Sequence, residues 1–135
     1  MRYWLIKSEP TSYPWSQLVS EGSSAWTGVR NPTARLNMLA MAVGDPCLYY
    51  HSNVGKEVVG IAEVVGLARP DPTAEDPRWV CVDVRAVRPL ARPVSLAMFK
   101  ADPALSRSQL CTQSRLSVAA LTPEEYARVL DLGGT

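Results

Sequence analysis

Apolar positions recur along the chain with two periods, and the switches between them mark its elements. Tyr3-Trp4-Leu5-Ile6 is a β-prone run that starts almost at the first residue, and Ser8-Glu9-Pro10 ends it. Pro14 opens a short helix with Trp15 and Leu18 on one face and Gly22 after its end. A loop holding Trp26 and Arg30 follows. Asn31-Pro32 reads as an N-cap followed by proline at the first helical position. From there Leu36, Leu39 and Ala40 repeat at helical spacing beside Met38 and Met41, and Gly44 is placed to close the helix.

The middle of the chain is strand-rich. Residues 47–52 form one apolar run, Asn53-Val54-Gly55-Lys56 reads as a four-residue hairpin turn, and residues 58–65 return, with Gly60 and Gly66 as bend or bulge points. Residues 69–78 carry Pro70, Pro72 and Pro77 among charged side chains and predict an exposed loop. Residues 79–87 predict a strand in which Asp83 and Arg85 alternate with Val82, Val84 and Ala86. Ser95 is placed to cap a short helix through Lys100, Asp102-Pro103 begins a further turn or helix, and residues 115–118 are a brief strand. Thr122-Pro123-Glu124-Glu125 has the form of a capping box before a last helix to about Asp131. Strands of uneven length, hairpin connections and peripheral helices predict an α+β domain built on a strongly curved sheet or small barrel.

Composition narrows the function classes. The 135 residues fit one domain, 1–135, and 47% hydrophobic content supplies a core. The net charge is only +1, so a nucleic-acid partner would be held in a pocket rather than along a strongly basic face. Three of the fourteen basic residues are Lys (Lys7, Lys56 and Lys100), leaving a bias toward Arg, the better planar partner for phosphates and base edges. Three widely spaced cysteines, no CxxC and one histidine imply neither a metal nor a disulfide framework, and the sequence calls for no cofactor. With no signal peptide and no run near the roughly 20 apolar residues of a membrane span, the expectation is a cytoplasmic protein away from membranes.

The chemistry concentrates in Trp26-Thr27-Gly28-Val29-Arg30-Asn31, which sets an indole, a permissive glycine, a guanidinium and an amide within six residues. Trp26 is suited to stacking on a flat ligand or to capping the core with its N–H satisfied by backbone. Trp79 is suited to be a facing wall or to pack at a strand end. Lys7-Ser8-Glu9 puts three polar groups at the end of the first strand, either toward a ligand or in solvent. His51, in Tyr50-His51-Ser52, fits a hydrogen-bonding role better than catalysis, because no nucleophile and orienting group accompany it in sequence. Arg115 is suited to a phosphate or an internal carboxylate. There is no GxGxxG, GxxxxGK[ST] or HExxH.

Six ordered motifs carry a resemblance. They are residues 3–10, Trp26-x-Gly28-Val29-Arg30-Asn31, Tyr50-His51-Ser52, Gly60-Ile61-Ala62-Glu63-Val64, Trp79-x-x-Val82-Asp83-Val84 and Arg115-Leu116-Ser117-Val118. In that order they resemble EVE-domain proteins over nearly the whole chain. The resemblance implies a PUA-like fold, a curved, barrel-like β-sheet with peripheral helices, distantly related to the YTH readers of methylated adenine. It also implies a non-catalytic pocket for a modified base, a 5-substituted cytosine, in DNA or RNA, with DNA ahead of RNA. Carried over, Trp26, Gly28, Val29, Arg30 and Asn31 border the pocket, with Lys7, Ser8 and Glu9 from the first strand. Tyr50, His51 and Ser52 line it from the hairpin, Trp79 is a wall, and Arg115 and Ser117 lie on the neighbouring C-terminal segment. Two alternatives stay open: an amidohydrolase of the ASCH kind acting on modified nucleosides through Lys7 and Glu9, and a small-molecule or protein-interaction module.

Overall fold

The computed structural model describes residues 1–135. In chain order it contains β1 (Tyr3–Ser8), α1 (Trp15–Glu21), β2 (Ser23–Trp26), α2 (Pro32–Ala40), β3 (Pro46–His51), β4 (Glu57–Pro70) and β5 (Val80–Ser95). The C-terminal part adds α3 (Leu96–Ala101), α4 (Gln109–Thr112), β6 (Val118–Leu121) and α5 (Pro123–Leu132). The six strands form one curved sheet in the order β2-β5-β4-β3-β1-β6, not closed into a barrel. β1 runs parallel to β3, with Lys7 opposite Tyr50 and Ser8 opposite His51. The other pairings are antiparallel.

The curvature has local causes. The β4–β5 register shifts next to Gly60 and again at Gly66. Both glycines are required by close approach. A Cβ at Gly60 would stand 2.5 Å from the Trp15 ring, and one at Gly66 would stand 2.2 Å from an Asp83 carboxylate oxygen. β5 also runs further than residues 79–87. It continues through Pro89 and Pro93 because that stretch bulges: Gly60 pairs with Pro89 and Val58 with Val94, so the prolines owe few N–H groups to the ladder. The bulge is covered by the C-terminus, where Arg92 N–H donates to the Gly133 carbonyl at 3.1 Å.

Four further expectations need correction. The loop expected around Trp26 contains a strand, because residues 23–26 pair with 82–85 of β5. α2 buries Ala34 and Met38 and leaves Leu36 and Leu39 exposed, reversing the face read from the leucine spacing. The small Ala34 lets the helix lie close to the sheet, and Asn37 Nδ2 donates to the Val118 carbonyl at 2.7 Å. That helix ends at Ala40, and Gly44 (φ +97°) belongs to the turn into β3. Finally, the last strand starts at Val118, leaving Arg115 and Ser117 in the segment before it.

A continuous core runs beneath the sheet, including Trp4, Leu5, Ile6, Leu48, Tyr49, Val82, Val84 and Phe99. The Trp4 indole N–H donates to Asp45 at 3.0 Å, so the buried carboxylate ties β1 to the turn before β3. α5 is capped as its sequence predicts. Thr122 Oγ1 accepts from Glu125 N–H at 3.1 Å, and Glu125 Oε1 accepts from Thr122 N–H at 2.9 Å.

Candidate functional site

The two ends of the open sheet curl toward each other, and a cleft of about 390 Å³ occupies the seam. β1 contributes Lys7 and Ser8, and Ser117 precedes β6, on one side. Ser24, Ala25 and Trp26 of the edge strand β2, with residues 27–30 after it, form the other side. Tyr13 adds a further hydroxyl. The volume is within the roughly 300–1,000 Å³ usual for small-ligand sites. An edge strand leaves alternate backbone N–H and C=O groups unpaired, so the seam offers main-chain as well as side-chain polar groups to a guest.

Trp26 is only 8% exposed, held edge-to-face by Tyr13 at 6.0 Å and Tyr49 at 5.6 Å between centroids. Tyr49 donates its own hydroxyl to the Tyr13 carbonyl at 2.5 Å, and burial pushes its pKa far up, so it remains a neutral donor. Tyr13 in turn donates to Glu21 at 2.7 Å. This aromatic stack fixes the indole that walls the cleft.

The loop after Trp26 is anchored by a residue that sequence reasoning missed. Asp71, its side chain shielded from water, accepts from Gly28 N–H at 2.8 Å, Arg30 Nη1 at 3.0 Å, Thr73 N–H at 2.7 Å and the Thr73 hydroxyl at 2.6 Å. Burial alone would raise its pKa. The Thr73 hydroxyl, the two backbone N–H groups and Arg30 outweigh that and hold the carboxyl far below its ordinary value. Gly28 sits at φ +83°, where L side chains are strained. Arg30 also donates to the Val29 carbonyl and Thr73 Oγ1, at 3.1 Å each. The guanidinium is therefore a clamp for the loop, and 40% of the Arg30 side chain remains exposed.

Lys7 is the cleft's other cation. Its ammonium donates to the Ser114 carbonyl at 3.1 Å and lies 5.9 Å from the centre of the Tyr50 ring. No carboxylate pairs with it, and burial lowers its pKa. The lining thus holds two cations, five hydroxyls (Ser8, Tyr13, Ser24, Thr27 and Ser117), an indole and no carboxylate. Such a surface suits a flat, polar, electron-rich guest.

Of the residues singled out from sequence, Lys7, Ser8, Trp26, Gly28, Val29, Arg30 and Ser117 line this cleft. The others do other things. Glu9 accepts from Asn53 Nδ2 in the hairpin turn. Asn31 caps α2, its Oδ1 accepting from Ala34 N–H at 3.0 Å, and faces a second cleft together with Arg115. Tyr50 is buried beneath Lys7. His51 Nε2 accepts from Trp15 N–H at 3.0 Å, so it tethers α1, and Ser52 N–H donates to the Ser8 carbonyl. Trp79 does not face Trp26. Its carbonyl accepts from Asp71 N–H at 2.8 Å and its N–H donates to Asp76, closing the 71–79 loop. The hairpin residues and Trp79 therefore lie outside the lining of the cleft. Of the missed residues, Asp71-x-Thr73 has the spacing of an Asx turn, the one local signal for its role.

The sequence matches the pattern of the EVE domain over residues 2–132. The chain belongs to the EVE-domain family. It is 33% identical to mouse (Mus musculus) thymocyte nuclear protein 1 over 98% of this chain and 74% of that protein. An Agrobacterium tumefaciens protein of known crystal structure is 50% identical, with a TM-score of 0.97, covering 99% of this chain and 94% of that one. Human THYN1 crystallised in complex with 5-methylcytosine-containing DNA is 30% identical, with a TM-score of 0.92, covering 100% of this chain and 99% of that chain. The curved open sheet with peripheral helices is thus the EVE fold.

Proposed function

We propose that this EVE domain is a non-catalytic module that binds DNA carrying a 5-substituted cytosine, with the modified base seated in the seam cleft. The observation carrying this reading is the cleft itself: a fixed indole wall, two cations and five hydroxyls, in a chain similar along its full length to a protein crystallised with 5-methylcytosine DNA. A base taken out of its stack costs a few kcal/mol, to be recovered by stacking and by hydrogen bonds to its edge. Base–aromatic stacking supplies about 1–3 kcal/mol. The unpaired Lys7 ammonium and the seam hydroxyls complement the carbonyl and ring nitrogen of a cytosine. Val29 and Ala25 give a 5-substituent apolar contact.

The amidohydrolase alternative needs Glu9 beside Lys7. The two side chains have separate partners, Asn53 for Glu9 and Ser114 for Lys7, which favours the binding module. The test is titration of oligonucleotides that differ only in one 5-methylcytosine, with wild type, Trp26→Phe and Lys7→Gln. A preference for the modified strand of about tenfold or more, reduced in both variants, is expected. Equal, weak binding to both strands that neither substitution changes would overturn the reading.

A further inference from the structure

A second cleft of about 300 Å³ adjoins the first and has no part in the base-binding reading. It lies between the start of α2 and residues 112–116, and the two clefts share a wall. Arg30 lines one and Asn31 the other, Leu116 and Ser117 are divided in the same way, and the Ser114 carbonyl that borders the second cleft holds the Lys7 ammonium of the first at 3.1 Å. Its lining is rich in donors and, like the first, contains no carboxylate. Arg115 stands exposed there with no ion pair or side-chain hydrogen bond; Arg2, Arg88 and Arg107 are equally unpaired, but Arg115 is the one arginine lining this cleft, and Arg30 of the adjoining cleft is held by Asp71. Gln113, Thr33 and the Asn31 amide nitrogen add neutral donors. The end of α2 contributes little by itself, because Pro32 has no N–H and the Ala34 N–H is already capped by Asn31. The free guanidinium in an acid-free, polar cleft is what marks the site.

We infer that this second cleft seats a backbone phosphate flanking the base held in the first cleft, with Arg115 as its cationic contact. The inference rests on the base-binding reading above. It divides the work between the two clefts: the seam reads the base, and the second cleft fixes the register of the strand, as phosphate contacts do elsewhere. It also reconciles nucleic-acid binding with a net charge of +1, because one or two phosphate contacts require no basic face.

The experiment uses three probes on the ¹⁵N-labelled full chain, followed by amide shifts: 5-methyl-2′-deoxycytidine, a trinucleotide with 5-methylcytosine at its centre, and the same trinucleotide with neutral methylphosphonate linkages. The nucleoside is expected to move the Thr27 and Gly28 amides but not those of Thr33, Ser114 and Leu116. The charged trinucleotide is expected to move both sets. The neutral one is expected to bind about tenfold more weakly and to leave the second set unmoved. Arg115→Gln should weaken the charged trinucleotide about tenfold, flatten its dependence on salt by about one phosphate contact, and leave nucleoside binding unchanged. Unchanged trinucleotide affinity in Arg115→Gln, or no shift at Thr33, Ser114 and Leu116, would overturn the phosphate seat even with the base in place. Equal weakening of nucleoside and trinucleotide by Arg115→Gln would also overturn it, by placing Arg115 in base binding. Failure of the nucleoside to move Thr27 and Gly28 would count instead against the base cleft.

Discussion

Replacing Asp71 with Ala should unmoor the wall of the cleft. Four donors converge on this carboxylate, from Gly28, Arg30 and both the N–H and hydroxyl of Thr73. Removing one member of a buried charged pair costs about 3–5 kcal/mol, and each orphaned backbone N–H about 1–3 kcal/mol. Arg30 is 40% exposed, so water takes over part of its share, and the loop can relax. The expected loss is therefore near the bottom of that range, about 3 kcal/mol. For a chain of this size each kcal/mol is worth roughly 4 °C, so the melting temperature followed by circular dichroism at pH 7 should fall by roughly 12 °C. The acid dependence provides a second arm. Because the folded carboxyl titrates well below its unfolded value near 3.8, its stabilisation is complete above about pH 5 and is lost as pH falls below 4. The gap between wild type and Asp71→Ala should accordingly narrow in acid. A drop smaller than about 3 °C at neutral pH, or a gap that stays constant down to pH 3, would refute the anchoring role.

Other perturbations follow the same geometry. Gly60→Ala places a Cβ against the Trp15 ring at 2.5 Å and should cost about 1–3 kcal/mol by urea unfolding, with altered tryptophan fluorescence as the ring shifts. His51 accepts from Trp15 N–H through Nε2, and burial lowers its pKa from 6.5 against the opposing charge of Glu57. A histidine with a lowered folded pKa stabilises fully above its unfolded value and loses that contribution as pH falls through and below 6.5. Thermal stability should thus decline from pH 7.5 to 5.5, and His51→Gln, which keeps an acceptor, should flatten the decline. Trp26→Phe retains an aromatic wall but reduces stacking area, and should weaken binding of a 5-methylcytosine oligonucleotide more than it lowers the melting temperature.

Much of this architecture is legible from local pattern. The apolar runs of β1, β3 and β4, the caps at Asn31, Ser95 and Thr122, and the bulges at Gly60 and Gly66 each answer to chemistry within a few residues. The features that escape it depend on partners far along the chain. β2 is four residues with two serines, and only pairing with residues 82–85 makes it a strand. Leu36 and Leu39 have helical spacing, yet the sheet selects the face with Ala34 and Met38, where a smaller residue allows closer approach. Asp71 sits in a proline-rich charged stretch that looks like solvent-exposed loop, and its burial follows only once residues 28 and 30 meet it from more than forty positions away. The Trp26 and Lys7 segments carry the cleft because both end strands at the seam. Glu9 follows β1, His51 ends β3 and Trp79 precedes β5, but their partners are Asn53, Trp15 and the 71–79 loop.

A modified base seated in the seam between β1 and β2 brings its 5-methyl and H6 protons against the cleft wall. Nuclear Overhauser effects from those protons of a bound 5-methylcytosine oligonucleotide should therefore reach the Trp26 indole, the Val29 methyls and Ala25. Effects confined to the exposed Leu36 and Leu39 face of α2, or to the second cleft, would show that the base does not sit in the seam.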